Sequence, residues 1–127
     1  MEDINDCLKK YPWMDFYVVG LNEIEMIIYA TMDSSQGYQL SISLNDVSYI
    51  DMPMRWKIDT EEEYPIKSIF FSSMEKKDVD RFLDNGAGNL YCFSAETVLG
   101  KAEYHIAAKN LTFTDYGVHN YQRWEGC

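Results

Sequence analysis

Asn89-Leu-Tyr-Cys-Phe-Ser-Ala-Glu-Thr-Val-Leu-Gly-Lys-Ala-Glu-Tyr-His-Ile-Ala-Ala-Lys-Asn-Leu-Thr-Phe-Thr114 is the stretch that decides the fold of this 127-residue chain. Ala102, Tyr104, Ile106 and Ala108 share one face of an extended chain. Glu103, His105 and Lys109 share the other, with Ala107 among them. A period of two marks a half-buried strand. Gly100 supplies the positive φ that a tight connection needs, so Leu90–Thr97 and Ala102–Ala108 are predicted to pair as an antiparallel hairpin. Leu111 and Phe113 resume the alternation after a bend or bulge at Asn110.

Working outward, the same periodicity recurs upstream. Tyr38, Leu40, Ile42 and Leu44 alternate with Gln39, Ser41, Ser43 and Asn45, one apolar and one wet face. The segment Glu23–Met32 is rich in β-branched and aromatic residues and reads as strand. Asp33-Ser34-Ser35-Gln36-Gly37 is a turn by composition, so residues 23–45 form a second hairpin. Shorter strands are expected at Phe16–Val19, Val47–Asp51, Arg55–Asp59 and Ile66–Phe71. Pro53 interrupts the ladder.

Two helices are expected. Ile4, Cys7 and Leu8 stand at i, i+3 and i+4 in a short N-terminal helix over Asp3–Lys10, stopped by Pro12. A longer one over 73–84 opens on a capping box, Ser72-Ser73-Met74-Glu75, and ends at Asn85–Gly86. Tyr11, Trp13 and Phe16 read as core at one end of the sheet. The expected fold class is α+β, a single domain over residues 1–127. It consists of a mostly antiparallel, curved, barrel- or sandwich-like sheet of about seven to nine short strands with those two helices.

Composition limits the function classes. Apolar residues make up 46 %, too many for a disordered chain, and ten Tyr, six Phe and three Trp favour a pleated surface. Glu2, Asp3 and Asp6 stand where a secretory leader carries basic residues. The longest apolar run, Met26–Ala30, falls far short of the roughly 20 residues that span a bilayer. Cys7, Cys92 and Cys127 form no Cys-x-x-Cys pair and read as reduced thiols, Cys92 as a small core residue. A cytoplasmic setting is expected.

The net charge is −10, and it is uneven: residues 1–63 hold thirteen acids and four bases, residues 64–127 eight and seven. A field of this sign disfavours nucleic acid and anionic membrane and favours a basic protein partner.

No catalytic motif stands out. Gly-x-Ser-x-Gly, a Walker loop and Gly-x-Gly-x-x-Gly are missing from the sequence, and Gly86-Ala-Gly88 follows a helix rather than preceding one. His105 and His119 lack zinc-ligand spacing, so neither a metal nor a cofactor is expected, and His105 reads as a solvent-facing histidine beside Glu103. Asp78 and Asp80 lie two apart on a helix and do not face each other.

What remains is a surface. Asp46, Tyr49, Asp51, Trp56, Asp59, Glu61, Glu62 and Glu63 combine aromatic anchors with carboxylates that steer a basic partner. The leading expectation is therefore a non-enzymatic interaction domain, in its most concrete form an acidic inhibitor or immunity-type protein masking a basic partner. The alternative is a small-molecule binder or enzyme with a Tyr- and Met-lined pocket inside the curved sheet. The third class is a structural or assembly subunit.

Overall fold

The computed structural model describes residues 4–22, 24–59, 61–70 and 88–124. Among these residues it contains one short helix, α1 (Ile4–Leu8), and nine strands. The strands are β1 (Asp15–Leu21), β2 (Glu25–Thr31), β3 (Leu40–Asn45), β4 (Tyr49–Asp51), β5 (Arg55–Ile58), β6 (Ile66–Phe70), β7 (Asn89–Thr97), β8 (Gly100–Ala108) and β9 (Asn110–Asp115). The architecture is α+β, an antiparallel curved sheet as the alternation requires. The helix expected over 73–84, with its capping box, lies outside the described residues.

The strands follow the order β4-β8-β7-β5-β1-β2-β3-β9, with β6 beside β5 on the same edge of β7. β8 and β9 are separated by Lys109 alone, so the bend at that residue brings the far parts of the strand order together. β3 and β4 run successively along this bent pair, Asn45 opposite Asn110 and Tyr49 opposite Ala107. A bulge between Val18 and Gly20 adds curvature at β1. Gly100 takes the expected positive φ, 116°, and closes the β7–β8 hairpin opposite Thr97.

Cross-strand rows fill the concave side. Trp56, Phe16, Ala30 and Leu40 form one row, Val18, Ile28, Ile42 and Phe113 the next, and Met26, Leu44 and Leu111 a third. From the other half come Ile58 with Ala95, and Ile66 with Phe93 and Tyr104. Ile4, Cys7 and Leu8 of α1 enter the same core, as their spacing implies. Ile106 is fully buried, while Tyr104 and Phe113 are half-buried against the core. Glu103 and Lys109 are exposed.

Four residues depart from the alternation or clustering that placed them. Gln39, on the wet face of its strand, is fully buried because its side chain accepts from Met32 N–H at 2.8 Å and donates to the Val118 carbonyl. Ala107 is buried on the outer face, between Tyr49 and Leu90 in register. Trp13 is 44 % exposed, outside the core, with its indole N–H on the Met32 carbonyl. Trp56 is buried with edge-to-face contacts to Phe16, Phe93 and Tyr104.

The tail covers the outer face of β2 and β3. Tyr38 bridges to Gln122, Tyr29 stacks on Tyr38 at 3.7 Å, and Trp124 packs on both. Gly37 makes this docking possible. Its φ is 123°, and a Cβ there would stand 2.0 Å from the Gln122 carbonyl oxygen.

Candidate functional site

The eight surface residues singled out by sequence do not form one patch. Trp56 belongs to the core and cannot serve as a surface anchor. Asp59 is 2 % exposed and acts as a buried acceptor: Oδ1 takes the Glu61 N–H at 3.0 Å and Oδ2 faces Lys101 Nζ at 3.3 Å. Glu61 reaches the same ammonium at 3.1 Å, and these two carboxylates hold the Lys101 amine above its ordinary value. Asp46 lies in the turn after β3 with φ 52°. Glu62 and Glu63 line a small cleft with Asn5, Leu8 and Lys9 of the N-terminal segment. Tyr49 and Asp51 sit on β4 beside β8.

β4, β8, β7 and β6 carry a polar row on their outer face. The register aligns Asp51, His105, Cys92 and Lys67 across the four strands. His105 Nδ1 lies 3.4 Å from Asp51 Oδ2, and Nε2 lies 3.1 Å from Glu103 Oε1. Cys92 is buried. Burial first, then the Glu103 charge and a thiol hydrogen bond to that carboxylate, push its pKa up to about 11, against a lowering by Lys67. A thiol so protonated is a poor nucleophile, which argues against cysteine catalysis. Sequence spacing missed this cluster because its members come from four strands. The hairpin itself held a signal: counting outward from Thr97 opposite Gly100 puts Cys92 opposite His105.

A groove of about 1180 Å³ lies between β6 and β9. Ile66, Lys67 and Ser68 form one wall, Leu111 to Asp115 the other, with Tyr91, Tyr64 and Ile4 between them. Among the described residues no Met lines it: Met14 and Met26 are buried in the core instead. Among the described residues, β6 pairs only with β7 and β9 only with β3, so two strand edges flank the groove.

The ladder period identifies which groups face it. Tyr116 N–H bonds to the Gln39 carbonyl on the β3 side, so the backbone groups of Leu111 and Phe113 point away from β3. Ile66 turns its N–H and C=O to the Asn5 side chain, so Ser68 points the same way, away from β7. The Tyr91 hydroxyl bonds the Leu111 backbone across the floor.

At the α1 end, Asp115 accepts from Lys10, from Tyr11 at 2.5 Å and from Gly117 N–H at 3.0 Å. Burial pushes the Asp115 carboxyl up, but these hydrogen bonds together outweigh it and hold the group below its usual range.

Comparison with known proteins yields no match: no family profile, no curated sequence and no solved structure aligns with the chain. No helix among the described residues is long and apolar enough to cross a membrane.

Proposed function

We propose that this protein is a non-enzymatic interaction domain that takes an extended segment of a basic partner protein as an added strand between β6 and β9. It would act as an inhibitor or immunity-type protein masks its partner. The observation that carries this reading is the groove bordered by two strand edges, with the backbone groups of Phe113 and Ser68 directed toward it. Strand addition draws affinity from main-chain hydrogen bonds and specificity from the side chains that alternate along the edge. Leu111 and Phe113 offer apolar contacts, Thr112 and Thr114 polar ones.

The acidic loop Glu61–Glu63 leads directly into Tyr64, which lines the groove, and the net charge of −10 favours a cationic partner. The buried thiols of Cys7 and Cys92, neither in a disulfide, support a reducing, cytoplasmic setting. The second reading, a small-molecule site, draws on the groove's volume and on the rings of Tyr64 and Tyr91.

Panning the full chain against random displayed peptides tests the proposal. Selected peptides should be rich in Lys, Arg and β-branched residues, and binding should perturb the amide signals of Phe113 and Ser68. N-methylation of alternate peptide amides should abolish binding. Peptides that bind equally well when N-methylated, or that shift amides elsewhere, would overturn strand addition.

A further inference from the structure

We propose that Cys92, Glu103 and His105 form a binding site for a divalent transition-metal ion of the zinc type, with Asp51 orienting the histidine. The site lies on the outer face of β7 and β8 and is separate from the groove proposed above.

The donor geometry carries the inference. One ligand atom from each of the three residues lies within 4.8 Å of the other two. A tetrahedral ion with bonds of roughly 2.0–2.3 Å places its donors about 3.3–3.7 Å apart. His105 Nε2 and Glu103 Oε1, at 3.1 Å, are already near that spacing. Adjacent strands in fixed register hold all three: Cys92 stands directly opposite His105, and Glu103 precedes it by two on the same face of β8. Little backbone rearrangement is needed to close the set.

The surroundings fit the chemistry of such an ion. A thiolate, an imidazole and a carboxylate match a borderline-soft cation better than calcium or magnesium, which take oxygen sets. The two anionic ligands neutralise a 2+ charge. Asp51 Oδ2 stands at the other ring nitrogen, 3.4 Å from Nδ1. With Nε2 on the ion, Nδ1–H donates to this carboxylate, which fixes the tautomer and the ring angle. Cys92 closes the buried side, whereas half of Glu103 and a quarter of His105 are exposed. The fourth position therefore faces solvent, open to water or to a donor from another molecule. On binding, the Cys92 S–H bond breaks, sulfur bonds to the ion, and the proton passes to solvent.

Cobalt(II) titration of the full chain tests this. Wild type should develop a thiolate-to-cobalt charge-transfer band and tetrahedral d–d bands at one equivalent, and zinc should displace them. Cys92→Ser should abolish the charge-transfer band. Because Cys92 is buried and its replacement disturbs the packing around it, two exposed-side variants are measured alongside. His105→Gln should weaken cobalt binding by at least tenfold, and Asp51→Asn by about 10–100-fold with the band retained. No charge-transfer band in wild type would overturn the site. So would a band that persists in Cys92→Ser, which would place the ion on Cys7 or Cys127, or affinity unchanged in His105→Gln.

Discussion

The Asn5 side chain makes both hydrogen bonds that a neighbouring strand would make to Ile66: Nδ2 donates to its carbonyl at 2.7 Å, and Oδ1 accepts its N–H at 2.9 Å. One side chain from α1 thus terminates the exposed edge of β6 and ties the N-terminal segment to a strand 61 residues away. Asn5→Ala should leave two buried backbone groups unpaired, at about 1–3 kcal/mol each. Urea denaturation measures the loss, and amide exchange at Ile66 should accelerate with it. A denaturation midpoint equal to wild type would mean that water replaces the amide at no penalty.

Trp56 makes a different kind of demand. Its ring packs against Phe16, Phe93 and Tyr104, yet its indole Nε1 has no acceptor among the described residues. Trp56→Ala should destabilise the fold by about 3–5 kcal/mol as a large-to-small core change. Trp56→Phe should cost much less, because it keeps most of the packing and removes the unpartnered N–H. Chemical denaturation of both variants checks the order, and equal losses would refute the role given to the orphan donor.

Asp115 links stability to pH. Its folded pKa lies below the ordinary 3.8, because the hydrogen bonds from Lys10, Tyr11 and Gly117 outweigh the effect of burial. A lowered folded value means that the carboxylate's contribution is complete above the unfolded pKa and drains away as pH falls through the folded one. Asp115→Asn should therefore be less stable than wild type by a constant margin at neutral pH, and the margin should close below about pH 4. Thermal melts of both proteins across that range would show it. A gap that persists unchanged into acid would assign the loss to packing.

The contrast between these residues explains what the sequence made legible. Alternation located Leu40, Ile42, Leu44 and Ile106 because a sheet with one buried face imposes a period of two. The positive φ at Gly100 was equally readable, since a tight turn demands it. Gln39 broke the pattern because buried polar groups are allowed when bonded, and its acceptor, the Val118 carbonyl, lies 79 residues away. Trp56 was misread as a surface anchor from its acidic neighbours in sequence, whereas the β1–β5 pairing turns it onto Phe16. The Cys92–His105 pair follows from the hairpin register, but Asp51 joins it only through β4, whose pairing no local pattern announces. The groove was illegible for the same reason: it is a property of which strand edges, among the described residues, remain without a neighbour.

Glu61 and Glu63 are exposed and Glu62 is half-buried, and together they precede Tyr64 at the α1 end of the groove. If a basic strand enters there, these charges act before contact, over distances that salt screens beyond roughly 8 Å at physiological ionic strength. Replacing all three with Gln removes three charges and leaves side-chain size almost unchanged. Glu61 also gives up its ion pair with the exposed Lys101, but surface pairs of this kind contribute little, so fold stability should stay near wild type. Association of a peptide selected by panning should slow several-fold, with dissociation much less affected, as is usual for rim charges. The wild-type rate should fall as salt rises, and the triple variant should respond less steeply. Stopped-flow mixing at low and high ionic strength separates the two rate constants. Association that ignores both salt and the three substitutions would make the acidic loop a solubility feature and leave the groove's edges to choose the partner alone.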